Sequence, residues 1–168
     1  MHGASDPAPR LRPTCEADLP FVRELEQHPE NTPFISQWTT EQHADAIQRG
    51  DREHWIIESD DRGPLGYVIA YDLKAQDSGV YVKRIVVSRK GAGLGRTALA
   101  EFLNHAYRDL GTDYVWLAVR PENERAQRSY QALGFEYTKR SERARECLAA
   151  GRDPENPNLL MIHYRDGR

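Results

Sequence analysis

The spacing of apolar residues predicts two helices in the first third of the chain. The first begins after Asp18, which is placed to cap it, and its apolar face is formed by Leu19, Val22 and Leu25. The second follows Thr39 and Gln42, a pair typical of a capping box, and ends at Gly50. Its apolar face is formed by Ala44 and Ile47.

Two further helices are predicted in the second half. The third has a continuous stripe of apolar or small residues at positions 94, 98, 102, 106 and 110 and ends before Gly111. The fourth opens at Pro121 and ends at Gly134. Its small or apolar face carries Ala126, Tyr130 and Leu133.

Runs rich in β-branched and aromatic residues predict seven strands. One begins near Leu11, and the others lie at 55–58, 65–73, 80–87, 114–119, 135–138 and 159–164. A turn at 60–64 favours a hairpin, so the second to fourth strands are expected to be consecutive and antiparallel. The fifth is apolar without alternation, which is typical of a central strand. The whole pattern predicts an α/β domain with a mixed, mostly antiparallel sheet of about seven strands and about four helices.

Composition narrows the class of protein. The chain has 168 residues, 39% of them hydrophobic, and a net charge of −3, which is typical of one globular domain and argues against a nucleic-acid binder. No apolar run is long enough for a membrane span or signal peptide, so a cytoplasmic location is expected. Cys15 and Cys147 form no CxxC pair, and we expect no metal. Residues 1–9 are expected to be a flexible tail and 10–168 the domain.

A glycine-rich turn lies between the fourth predicted strand and the third helix. Gly91, Gly93 and Gly95 alternate there, and Lys90 and Arg96 flank them. Backbone N–H groups of glycines and of a helix N-terminus can converge on an anion, and the flanking cations add charge-assisted contacts. The turn therefore predicts a phosphate or pyrophosphate site.

The spacing of the glycines separates three classes of phosphate loop. A Walker loop needs glycine and lysine where the chain has Lys90 and Arg96, and a dinucleotide fingerprint needs its third glycine at Arg96. The pattern of a basic residue followed by x-x-G-x-G is met by Lys90, Gly93 and Gly95. A nucleotide-binding oxidoreductase is accordingly the weakest interpretation of this turn.

At this point the chain resembles the GNAT superfamily of acetyl-CoA-dependent N-acetyltransferases. A second pattern of that family, N-x-x-A-x-x-x-Y-x-x-x-G-F, is met downstream by Asn123, Ala126, Tyr130, Gly134 and Phe135. The resemblance covers residues 10–140 and departs from the family at Lys90, where Gln or Arg is usual. It implies a single GNAT-like domain, acetyl-CoA as cosubstrate and transfer of the acetyl group to a primary amine by direct attack in a ternary complex.

The resemblance also implies roles for individual residues. The strand at 85–87 would bind the pantetheine amides, the turn at 91–96 the pyrophosphate, and Tyr130 would protonate the leaving thiolate as a general acid. The expected cofactor-binding residues are Ile85, Val86, Val87, Lys90, Gly91, Ala92, Gly93, Leu94, Gly95, Arg96 and Asn123.

The residues that would bind the amine acceptor are less clearly indicated by the sequence. Phe34 and Trp38 are candidate walls of the acceptor pocket, and Glu30, Glu58, Asp72 or a water chain are alternative general bases. Expected partners are an amine-bearing acceptor, either a small molecule or a protein N-terminus, and a second copy of the chain in a homodimer. The alternative function is a non-catalytic acyl-CoA-binding sensor or interaction module, against which Tyr130 argues.

Overall fold

The computed structural model describes residues 8–71, 73, 79–138 and 158–166, which form one seven-stranded sheet. The strands are β1 (Arg10–Pro13), β2 (Glu53–Ser59), β3 (Gly63–Tyr71), β4 (Val80–Val87), β5 (Tyr114–Val119), β6 (Glu136–Tyr137) and β7 (Leu159–Tyr164). Their order in the sheet is β1-β2-β3-β4-β5-β7-β6. Neighbours are antiparallel except β4 and β5, which are parallel. The predicted mostly antiparallel sheet is confirmed.

Four α-helices cover the sheet in the described part of the chain. They are α1 (Leu19–Gln27), α2 (Thr40–Gln48), α3 (Leu94–Arg108) and α4 (Glu124–Ala132). Alternate residues of β3 enter different clusters, since Val68 packs with Leu99 of α3 whereas Ile69 packs with Val22 of α1. Tyr130 of α4 joins the cluster of α3. The sheet therefore has α3 and α4 on one face and α1 and α2 on the other.

The capping box of α2 is confirmed, but its buried face differs from the prediction. The Thr39 side chain accepts from the Gln42 N–H and the Gln42 side chain accepts from the Thr39 N–H. His43 and Ala46 are buried, whereas the predicted Ala44 and Ile47 are only half-buried. The hydrophobic pattern misses His43 because hydrogen bonds make burial of this polar ring tolerable.

Two predicted helix starts are wrong in detail. Asp18 directly precedes α1, but its carboxylate binds the Arg12 guanidinium at 2.7 and 2.8 Å instead of capping the helix. In this pair both partners are charged and two parallel hydrogen bonds form, which makes it a strong alternative to a single bond to a helix N–H. Pro121 does not open α4, which begins at Glu124 because the Asn123 side chain caps it.

Some sequence predictions fall outside the described residues. They include most of the 1–9 tail, Asp72 and nearly all of the charged segment at 139–158. Within the described ranges, no helix has both the length and the apolar character needed to cross a membrane.

Gly66 of β3 provides a test of the packing between β3 and β4. A Cβ atom at Gly66 would lie 2.2 Å from the Val86 carbonyl oxygen, so Gly66→Ala must push the strands apart. We expect it to lower the free energy of unfolding by about 1–3 kcal/mol in urea denaturation. At Gly95 a Cβ would meet only Val87 Cγ1, at 4.0 Å, so the matched control Gly95→Ala is expected to be neutral or stabilising. Equal stability of the two variants would contradict the close approach.

Candidate active site

A β-bulge in β4 determines which of its side chains face each side of the sheet. β3 pairs Ile69 with Arg84 and Ala70 with Val82, so Lys83 is the extra residue of the bulge. After it, Ile85 packs into the cluster of α3, whereas Arg84 contacts α1 on the opposite face. The bulge thus directs a cation toward α1 and α2.

At the bulge, β4 separates from β5. The parallel pairing includes Val80, Tyr81 and Val82 of β4 and ends where Val82 meets Leu117. Since β4 continues to Val87, its last five residues have β3 on one side and a gap on the other. Crevices at the carboxyl ends of parallel strands are common ligand sites.

A cavity of about 1290 Å³ lies at this gap and brings together most of the predicted site residues. Of the predicted cofactor-binding residues, it is lined by Ile85, Val86, Val87, Lys90, Gly91, Gly93, Leu94, Gly95, Arg96 and Asn123. Ala92 is not in its lining. Tyr130 and the candidate acceptor walls Phe34 and Trp38 line the same cavity.

The glycine turn has the backbone conformation that its sequence suggests. Gly91 and Gly93 have φ angles of 77° and 76°, which favour glycine, and a Cβ at either would meet no atom within 4 Å. Gly93 directly precedes α3, so the open space above the turn adjoins the unpaired N–H groups of the helix. Burial lowers the pKa of Lys90, although the nearby Glu30 carboxylate opposes this shift.

α4 brings two predicted residues to the cavity from the α3 side. The side-chain Oδ1 of Asn123 accepts from the Ala126 N–H at 3.3 Å and so fixes the start of the helix. Tyr130 lies two turns further along, with its ring centroid 6.0 Å from that of Phe135. Burial raises the pKa of Tyr130 to about 12, so its phenol is neutral at pH 7 and retains a proton to donate.

The connection between α1 and α2 borders the cavity from the other face. Phe34 is 36% exposed, whereas Trp38 is half-buried and packs against the cluster of Val22 and Ile69. The Arg84 guanidinium lies 5.0 Å from the centroid of the Trp38 ring. The two predicted acceptor walls therefore stand on the face opposite Tyr130.

The three carboxylates predicted as alternative bases have different positions. Glu30 lines the cavity. Glu58 lies near the end of β2, outside the cavity lining, and its carboxylate binds Arg12 of β1 at 2.7 Å. The hydrogen bond from Arg12 lowers the pKa of Glu58, so this carboxylate is a weaker base than usual. Asp72 lies outside the described residues.

Sequence reasoning missed a buried ion pair between Glu26 and Arg84. Glu26 is fully buried, and Arg84 is 5% exposed and lines the cavity. Burial alone would raise the pKa of Glu26, but hydrogen bonds from His43 and the Trp38 N–H, together with the Arg84 charge, lower it. A signal was present, because Glu26 follows Leu19 by seven positions and hence lies on the apolar face of α1.

The ion pair continues into a chain of buried polar side chains. His43 Nε2 lies 2.8 Å from Glu26, His43 Nδ1 lies 3.1 Å from His54 Nε2, and His54 Nδ1 lies 2.7 Å from the Thr14 hydroxyl. Burial and the neighbouring His43 lower the pKa of His54 to about 3, so its ring is neutral. Among the described residues, no group of three or more His, Cys, Asp or Glu side chains is arranged to hold a metal ion.

Comparisons with known proteins agree with this geometry. The profile of the acetyltransferase (GNAT) domain matches residues 10–136. Spermidine N-acetyltransferase from Vibrio cholerae, solved with CoA and spermine, has a TM-score of 0.77 and 16% identity, covering 95% of this chain and 97% of that chain. AAC(6')-Ib, solved with ribostamycin and coenzyme A, has a TM-score of 0.74 and 18% identity, covering 95% of both chains. No curated protein matches this chain.

At these identities the solved structures show a shared fold, whereas the domain profile shows the family. The matched residues extend from β1 through α4 and include the glycine turn and both strands of the gap. Because this match covers most of the sequence, the chain belongs to the GNAT acetyltransferase family.

Proposed function

We propose that this protein transfers the acetyl group of acetyl-CoA to a primary amine by direct attack in a ternary complex. The observation that carries this proposal is a single cavity bordered by the glycine turn, by Tyr130 and by the connection between α1 and α2. Such a cavity admits a long cofactor from one face of the sheet and an acceptor from the other. The similar folds of proteins solved with CoA or acetyl-CoA support the choice of cofactor.

The residues around the gap fit acetyl-CoA, which supplies the activated acetyl thioester. The peptide groups at 85–87 that point away from β3 would pair with the pantetheine amides, as a neighbouring strand would. The N–H groups of the turn at 91–96 would bind the pyrophosphate, and Lys90 and Arg96 would neutralise it. Asn123, which lines the cavity, would contact the pantetheine arm.

Tyr130 would act as the general acid. As the amine nitrogen forms the amide bond, the thioester carbon–sulfur bond breaks and the sulfur leaves as a thiolate that requires a proton. Tyr130 lines the cavity and its phenol is neutral, so it would donate that proton. This role favours an enzyme over a non-catalytic acyl-CoA sensor.

The amine must lose a proton, because an ammonium group has no lone pair. Of the three carboxylates considered from the sequence, Glu30 lines the cavity in the described residues, and a water chain is the alternative base. Phe34 and Trp38 would form walls of the acceptor pocket. The cytoplasmic location, the homodimer, and the extension of the domain to residue 168 after a flexible tail stay predictions.

Gly93 tests the pyrophosphate site. Gly93→Glu places an anion at the turn, so we expect the Kd for acetyl-CoA to rise at least 100-fold, or about 2.7 kcal/mol, in calorimetry. The φ angle of 76° strains any side chain, so Gly93→Asn is the matched control, because asparagine tolerates this conformation and carries no charge. Equal affinity of the two folded variants would show that the pyrophosphate lies elsewhere.

Tyr130 tests the general acid. We expect Tyr130→Phe to keep the Kd for acetyl-CoA within a small factor but to lower kcat by roughly 10²–10⁴-fold, because the phenyl ring fills the same space without a proton to donate. Steady-state rates, measured where chemistry limits turnover, check this. Tyr137→Phe is a suitable control, since its hydroxyl bonds Gln127 at 2.7 Å outside the cavity lining. An unchanged kcat in Tyr130→Phe would reduce Tyr130 to a packing residue.

A further inference from the structure

Arg84 is a cation at the acceptor side of the cavity that the proposed chemistry leaves unused. It is 5% exposed and lines the cavity, where it lies one residue before the segment at 85–87 proposed to bind pantetheine. The bulge at Lys83 directs its side chain toward α1, on the sheet face opposite Tyr130. An acceptor that enters from the face of α1 and α2 therefore meets Arg84 next to the reacting group.

The negative partner of Arg84 is hidden from the cavity. One Glu26 oxygen accepts hydrogen bonds from Arg84, His43 and the Tyr67 hydroxyl, and the other accepts from the Trp38 N–H at 3.0 Å. Glu26 is fully buried and is not among the residues that line the cavity. The ion pair thus presents its guanidinium to the cavity, with the carboxylate behind it.

The guanidinium is also held in one orientation. One Nη group donates to Glu26, the other donates to the Ser36 hydroxyl at 3.1 Å, and the plane packs near the Trp38 ring. Arg84 also hydrogen-bonds to the Tyr67 hydroxyl, so these contacts use at most three of the five N–H groups that an arginine carries. A fixed planar fork with further donors favours a carboxylate, which can accept two parallel hydrogen bonds.

The carboxylates that line the cavity have partners or positions other than Arg84. In the described part of the lining they are Glu30, Glu122 and Glu124. The Glu30 charge acts on Lys90 of the glycine turn, and the other two flank Asn123 at the start of α4. A polycationic acceptor needs anions around its distal amines, whereas the surface beside Arg84 offers a cation.

We propose that the acceptor carries a carboxylate close to its amine, and that Arg84 is the specificity-determining residue that binds this carboxylate. The inference rests on the proposed acetyl transfer and selects one acceptor class from among the amines. Binding through Arg84 would leave the amine directed into the gap, toward the face that holds Tyr130.

Matched amines test this proposal on the unmodified protein. One set has 4-aminobutyrate, n-butylamine and 1,4-diaminobutane, and the other has phenylalanine, phenylalanine amide and 2-phenylethylamine. In the first set the carboxylate is replaced by a neutral methyl group or a cationic aminomethyl group, and in the second by a neutral carboxamide or by hydrogen. We expect kcat/KM for acetyl transfer to be roughly 10–100-fold higher for the carboxylate member of the preferred set, as for a hydrogen bond between charged groups.

Variants assign the preference to Arg84. We expect Arg84→Gln to remove the preference through a higher KM for the carboxylate, so that the ratio of kcat/KM between the carboxylate and the neutral amine falls to about one. Because Arg84→Gln leaves Glu26 buried without its counter-charge, the double variant Glu26→Gln/Arg84→Gln keeps the site neutral and is expected to show the same loss. Arg165→Gln, which removes a surface ion pair with Asp113, is the control and should keep the preference.

The outcomes separate this proposal from the proposed function. Fastest acetylation of 1,4-diaminobutane would confirm acetyl transfer but overturn the carboxylate proposal. A preference for phenylalanine amide would indicate that the acceptor is recognised through a neutral carbonyl group, as in a peptide N-terminus. This result would also overturn the carboxylate proposal. A carboxylate preference that persists in the double variant would show that Arg84 is not the residue that binds the carboxylate. If acetyl-CoA does not bind and no amine is acetylated, the proposed function itself fails.

Discussion

The site depends on the loss of pairing between β4 and β5 after Val82 and Leu117. Polar backbone groups rarely stay without partners inside a protein, and each one buried without a hydrogen bond costs about 1–3 kcal/mol. A gap in the middle of a sheet is therefore expensive unless water or a ligand fills it. A cofactor with amide groups along an extended arm is suited to this gap, because it can replace the missing strand.

The β-bulge at Lys83, where this pairing ends, also determines the position of Arg84 on the opposite face of the sheet. If Lys83 were paired in a regular ladder instead of bulging out, alternation from Val82, which packs with α3, would turn Arg84 toward α3 as well. With the bulge, Arg84 reaches Glu26 on α1, and Glu26 in turn holds His43 of α2 and the Trp38 backbone. Removing one partner of a buried ion pair typically costs 3–5 kcal/mol, so this network fixes the α1–α2 connection as well as the cation.

Most of the fold could be predicted from the sequence, because its signals are local. The stripe of α3, the capping box at Thr39 and the glycine turn each depend on neighbouring residues, and all three are found in the structure. The start of α4 was predicted incorrectly because Pro121 and Asn123 are both residue types that commonly begin a helix, and in the structure Asn123 caps it.

The acceptor side could not be predicted in this way, since its signals are nonlocal. Glu26 and Arg84 are 58 positions apart, and each looks like an isolated charge in an apolar pattern. Their pairing depends on a one-residue shift of register that no local pattern around Lys83 indicates. Glu58 was considered as a base because it lies near a strand end, but its strand is next to the edge strand β1, whose Arg12 binds the Glu58 carboxylate.

Amide hydrogen exchange with and without CoA tests the central claim most directly. If CoA completes the sheet beside β4, it should slow exchange at alternate amides within 83–87 and at amides of the 93–96 turn, whereas the edge pair of β1 and β2 should change little. CoA binding, verified by calorimetry, without added protection at 83–87 would contradict the account, because the gap between β4 and β5 would then not be the cofactor site.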